Sequence, residues 1–216
     1  MSVVLYGSTS SIIVDVEETC ARLGLAIAAI VKNVAGDDFA LSGAPIMAPD
    51  DIPAALTSLP FAVPIFGPAH RRHASEDARR RGFERAATLI DPTAIVAAST
   101  TIGPGTYVNC GVAIGGAARI GAFVFVNRSA SIGHHADVGD FVSIGPGAHI
   151  AGGVRLGRGA VVSTGAVILP RITIGSNSVI GAGSVVTEPV PDRCLVVGNP
   201  GRVVATEYAG YQNMSV

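Results

Sequence analysis

The chain has 216 residues, 49% apolar and only 14% charged, a balance that excludes a disordered chain and supplies a core without disulfide or metal staples. A net charge of -1 gives no electrostatic case for a nucleic acid or other polyanionic partner. Cys20, Cys110 and Cys194 stand far apart with no metal-ligand spacing, so free thiols in a reducing compartment are expected. No basic leader precedes Tyr6, and the longest clean apolar run, Leu25 to Val31, is too short to span a bilayer. A cytoplasmic protein without a membrane partner is expected.

Val3 to Tyr6 predicts a short strand closed by Gly7. A helix is expected over residues 10–23, a second strand over Leu25 to Val31 and a third over Phe61 to Phe66. His70 to Arg81 predicts a polar helix whose arginines (Arg71, Arg72, Arg79, Arg80 and Arg81) read as a solvated face. Residues 1–88 therefore predict a small βαβ-type α/β unit. Its first turn, Gly7-Ser8-Thr9-Ser10-Ser11, leads from strand to helix, which suits either a phosphate or carboxylate seat or a plain N-capping turn.

A different pattern starts at Ile90. Stepping by six gives Val96, Ile102, Val108, Ile114, Ile120, Val126, Ile132, Val138, Ile144, Ile150, Leu156, Val162, Ile168, Ile174, Ile180 and Val186, every stop aliphatic and none skipped. Glycine recurs one residue later, as in Gly103, Gly115, Gly121, Gly133 and Gly139, with Asn109 and Asn127 in the same column; both types tolerate positive φ, so this column is expected to form the turns. Four residues after the aliphatic the side chain is small, as in Ala118, Ala130, Ala136 and Ala148. Each unit thus predicts a short strand, a sharp corner and a small inward residue, stacked at the parallel-strand spacing of about 4.8 Å into a prism roughly 27 Å long. Pro189 and Pro191 end the repeat, and Asp192 to Val204 is expected to cap or flank it. The repeat and its cap take residues 89–205, leaving 206–216 as a tail.

Polar side chains are sparse in the repeat, which draws attention to His134 and His135 in Ile132-Gly133-His134-His135-Ala136-Asp137. The pattern places both outside the core, between the bare Gly116-Ala117 one coil earlier and Gly152-Gly153 one coil later. Three readings are open: a solvated pair, a metal site, or a general base titrating near neutrality. A metal needs a third ligand, and His149 falls out of step with the 18-residue stack, so no metal is expected.

The N-terminal strand and turn at Gly7, the stretch Asn127 to Gly152 and the ending Gly198-Asn199-Pro200-Gly201-Arg202 together resemble the hexapeptide-repeat sugar acyltransferases, of the sialic acid O-acetyltransferase and nucleotide-amino-sugar N-acetyltransferase type. The resemblance implies a left-handed parallel β-helix following an α/β acceptor-binding unit, homotrimeric assembly with the active site between prisms, and a role in polysaccharide biosynthesis. It implies an acetyl or other short acyl group moved from acyl-CoA to an amino or hydroxyl group of a sugar, without an acyl-enzyme. By position His134 is the general base, His135 its neighbour in the site and Gly152 the oxyanion donor. The CoA groove is expected to pass Ser143, Gly152, Thr164 and Ala182, and the acceptor to meet Gly7, Thr9, Ser10, Ser11 and Asn127. Two positions depart from the family. His135 stands where Glu or Asp usually orients the base, leaving Asp137 or Asp140 as nearby carboxylates, and Ser10 and Ser11 stand in the places of a loop Gly and His. Two alternatives stay open: an O-acetyltransferase for a non-nucleotide metabolite, and a non-catalytic β-helical trimer that binds or scaffolds.

Overall fold

A computed structural model describes residues 1–216. The chain opens with β1 (Ser2–Tyr6), α1 (Ile13–Arg22), β2 (Ala26–Val31), β3 (Ile46–Met47), α2 (Ala54–Thr57), β4 (Phe61–Ala62) and α3 (Pro68–Arg80). The four strands form one parallel sheet in the order β3-β2-β1-β4. The expected third strand stops after Ala62: Pro64 has no N–H to give, and the Ile65 N–H turns back to Val63 O at 2.9 Å. No helix is long and apolar enough to cross a membrane.

From Leu89–Ile90 to Val185–Val186 follow seventeen two-residue strands, one at every predicted step, and each pairs in parallel with the strand 18 residues away. They stack into three sheets that form the faces of a left-handed parallel β-helix. The core is one continuous column of the predicted aliphatics and small residues, from Val108 through Ala136 and Ala148 to Ile180. After the prolines, Leu195–Val197 joins one face in parallel and Arg202–Ala205 folds back antiparallel onto it, closing that end.

The three faces differ. The outward residues of the first, Leu89, Tyr107, Phe125, Ser143, Val161 and Val179, are all buried. Leu89, Tyr107 and Phe125 pack with Val3, Ile13 and Val16, so α1 and β1 lie against this covered face. The second face presents Ile95, Ala113, Ser131, His149, Val167 and Val185, without a charge. The third presents Thr101, Arg119, Asp137, Arg155 and Thr173.

The glycine column works differently from the expectation. Left-handed backbone falls three residues after the aliphatic, not one: Gly105, Gly111, Ala117, Phe123, Ser129, His135, Phe141, Gly147 and Gly153 all have φ between 51° and 75°. The glycines one residue after the aliphatic are needed for closeness. A Cβ on Gly133 would lie 2.5 Å from the Gly152 nitrogen, and one on Gly145 2.6 Å from the Thr164 nitrogen, where the next coil's backbone passes.

Arg71 also corrects its expectation. It is 1% exposed and reaches from α3 into the joint with the prism. Its Nε donates to Phe123 O at 2.7 Å, Nη1 to Ile65 O and Phe66 O, and Nη2 to Phe141 O, Val142 O and Ser143 Oγ. Burial pushes the guanidinium down to about 9, and the six oxygens stand in for water. The other arginines of the run are partly or fully exposed, as expected.

Candidate active site

The corner after Ile132 carries His134 and His135, both exposed, on the edge between the uncharged and the charged face. His135 takes the left-handed position at φ 56°, which turns its ring back toward its neighbour. The two rings meet edge to face at 5.2 Å, with Nδ1 3.0 Å from Nδ1. The carboxylates expected to help are engaged elsewhere: Asp137 pairs with Arg119 at 2.8 Å, and Asp140 accepts from Ala122 N at 2.8 Å. His135 is therefore the one side chain hydrogen-bonded to His134.

One coil on, Gly152 lies under the His134 ring. A Cβ there would stand 2.7 Å from both Cε1 and Nε2 of His134. The imidazole thus needs a bare residue at this level. The coils are tied on each side, His135 N to Gly116 O at 3.0 Å and Gly153 N to His134 O at 2.8 Å. The Gly152 N–H has no partner in the chain, leaving a free backbone donor at the level of the ring.

The remaining predicted residues lie on another edge. Asn127, Thr164 and Ala182 occupy corners between the covered face and the uncharged face. Asn127 is buried; its Oδ1 accepts from Asn109 Nδ2 at 3.0 Å and Arg128 N at 2.8 Å, while its Nδ2 is unengaged. Ser10, Ser11, Asn127 and Thr164 line one groove of about 310 Å³ with Phe66 and Tyr211. Thr9 and Ser10 open a second cleft of about 370 Å³ between the N-terminal unit and the tail, lined also by Asn33, His70 and Tyr211. The N-capping alternative for the first turn does not hold, because Ile12 caps α1 without a side-chain bond and the hydroxyls of Thr9, Ser10 and Ser11 bond to nothing in the chain. Gly7 is buried at φ 127° and its N–H is held by Val31 O at 2.8 Å, so it shapes the turn without facing either cleft.

Ser143 departs from expectation. It is wholly buried on the covered face, with Oγ donating to Phe66 O and accepting from Arg71, and so presents no side chain to a groove. Tyr211 was not legible as a site residue, since it lies outside the repeat and outside the sheet. His134 and Asn127 stand one whole face apart on the same prism.

A family model described as "Bacterial transferase hexapeptide (six repeats)" matches residues 135–170 and 153–188. No curated protein matches the chain at a significant level. Among solved structures, PerB from Caulobacter crescentus in complex with CoA and GDP-perosamine is 30% identical, with 94% of this chain and 97% of that one covered and a TM-score of 0.82. The chain belongs to the hexapeptide-repeat sugar acyltransferases. The acetyltransferase domain of PglB from Neisseria gonorrhoeae, solved with acetyl coenzyme A, is another similar member, at 28% identity, 94% and 98% coverage and a TM-score of 0.83. WeeI from Acinetobacter baumannii, 22% identical over 94% of this chain and 100% of that one at a TM-score of 0.78, shares the fold.

Proposed function

We propose that this family member moves an acetyl group from acetyl-CoA to an amino group of a nucleotide-linked sugar, with His134 as general base. The observation that carries the reading is the His134 imidazole lying over bare Gly152, beside that residue's free N–H. The acceptor nitrogen attacks the thioester carbonyl carbon, and the carbonyl oxygen takes the negative charge. His134 Nε2 removes the proton from the attacking nitrogen. The tetrahedral centre then collapses, the C–S bond breaks, and the thiolate leaves to take up a proton. A backbone donor at the oxyanion is worth roughly 3 kcal/mol in the transition state, and a placed base about 10²–10⁴ in rate. The relatives solved with CoA, acetyl-CoA and GDP-perosamine support this donor and this class of acceptor.

The division of the site residues between two edges supports a homotrimer. A neighbouring prism packed against the uncharged face sets the His134 edge of one copy beside the Asn127 and Thr164 edge of the next. Ala182 and Thr164 then flank the donor's groove, and Ser10, Ser11 and Asn127 face the acceptor.

The test is thiol release from acetyl-CoA across UDP-, GDP- and free amino sugars, followed with a chromogenic thiol reagent. Release dependent on one nucleotide-linked amino sugar is expected. Release with free sugars only, or none with any acceptor, overturns the proposal.

A further inference from the structure

The tail is tied to the prism at both ends: Tyr208 N donates to Arg193 O at 2.8 Å, and Val216 N donates to Asn177 Oδ1 at 2.7 Å. Between these anchors the backbone turns through Gly210, Gln212 and Asn213, all with positive φ, and lays residue 211 against the N-terminal unit. The Tyr211 ring sits edge to face on Phe66 at 5.7 Å. It is half-buried and lines both the cleft at Thr9 and the groove at Thr164. Asn33 also lines this cleft, with its Oδ1 buried beside Gly7.

A cleft of about 370 Å³ with Phe66 and Tyr211 as aromatic walls and two imidazoles, His70 and His73, suits a flat ring joined to an anion. We infer that Tyr211, carried by the tail, is an acceptor-specificity residue: the nucleobase of the acceptor stacks on its ring. The inference rests on the proposed nucleotide-linked acceptor and adds what holds its base. The tail is thus part of the site, and the base end of the acceptor is read by a segment that belongs to neither the sheet nor the repeat.

The experiment measures binding of UDP and GDP to the full chain by calorimetry beside thiol release, for the wild type, Tyr211→Phe, Tyr211→Ala and a chain lacking residues 206–216. Loss of one stacked base predicts Kd for the preferred nucleotide weaker by on the order of tenfold to a hundredfold in Tyr211→Ala and in the truncated chain. Tyr211→Phe keeps the ring and is expected to bind within a few-fold of the wild type. KM for the acceptor rises in parallel in Tyr211→Ala, by more than any change in KM for acetyl-CoA. Thermal unfolding of Tyr211→Ala close to that of the wild type separates the effect from misfolding. An unchanged Kd in Tyr211→Ala, or tighter binding by the truncated chain, overturns the inference and leaves the proposed function standing. A wild type that binds neither nucleotide and releases no thiol removes the proposed function itself.

Discussion

His134 and His135 meet Nδ1 to Nδ1 at 3.0 Å, a contact that works only when one ring donates and the other accepts. If His134 donates, its Nε2 keeps a lone pair pointing away from its neighbour, the form a general base requires. A second imidazole can hold this tautomer as a carboxylate does, without the carboxylate's charge. His134→Ala is expected to lower kcat by about 10²–10⁴. His135→Ala is expected to cost less, on the order of tenfold, because a free His134 still reaches the right tautomer part of the time. His135→Glu restores a charged partner and is expected to equal or exceed the wild type. Steady-state thiol release orders the three, and a His135→Ala loss as large as that of His134→Ala contradicts the supporting role.

Gly152 and Gly133 are both bare for lack of room, but different things fill the space. A Cβ on Gly152 meets the His134 ring at 2.7 Å, whereas one on Gly133 meets the backbone of the next coil at 2.5 Å. A side chain can rotate away and a packed coil cannot. Gly152→Ala is therefore expected to fold with little change in Tm and to lose activity at least a hundredfold. Gly133→Ala is expected to lose about 1–3 kcal/mol of stability as well. Thermal scans beside activity assays distinguish the two.

Arg71, itself 1% exposed, offers its donors to six oxygens. Arg71→Met leaves several buried carbonyls without donors and is expected to destabilise the fold by at least about 3 kcal/mol. Arg71→Lys is not expected to rescue it, since an ammonium carries three donors on one atom and cannot span acceptors on both sides of the joint. Denaturant unfolding of both variants checks this.

Asp91 ties α1 to the first coil, accepting from Thr19, Arg22 and Thr93. Burial alone raises its pKa, and the hydrogen bonds from Thr93, Arg22 and Thr19 outweigh that and bring it down to about 2. A carboxyl depressed in the folded state stabilises above its unfolded pKa, and that stability goes as pH falls through the folded value. The contribution, roughly 2 kcal/mol, is full above about pH 4 and gone below about pH 2. Asp91→Asn is expected to be less stable than the wild type at neutral pH, and the difference shrinks across that acid window. Unfolding midpoints measured from pH 7 to pH 2 give the comparison.

The prism was legible because its period is carried by single aliphatic side chains with nothing else to do. Ile90 to Val186 could be read one by one, and so could the exposed pair at His134. The corners were misread because glycine serves two purposes. Gly133 is bare so that a coil can pass, and Gly153, two places after the Ala151 corner opens, is there for its φ of 71°. The second column, at Gly105, Gly111, Gly147, Gly153, Gly159, Gly165 and Gly183, was present in the sequence as a separate signal. Arg71 and Ser143 were not legible, because each depends on a contact some 70 residues distant. Nothing local distinguishes Arg71 from Arg72 on the same helix. The placement of Tyr211 depends on two anchors far apart in sequence, and its composition alone reads as a loose tail.

The strict 18-residue register limits how this protein can change in length. One residue added within a strand between His134 and Gly152 would turn every later aliphatic outward and carry Gly152 off the His134 edge. Length can vary only by a whole coil, by a loop thrown out from a corner, or at the two ends. A coil inserted between His134 and Gly152 would still fold, yet it would separate the imidazole from the Gly152 N–H. The prism is in this sense a ruler, and natural variants with insertions at the corners but none between those two levels are the ones expected to keep their chemistry.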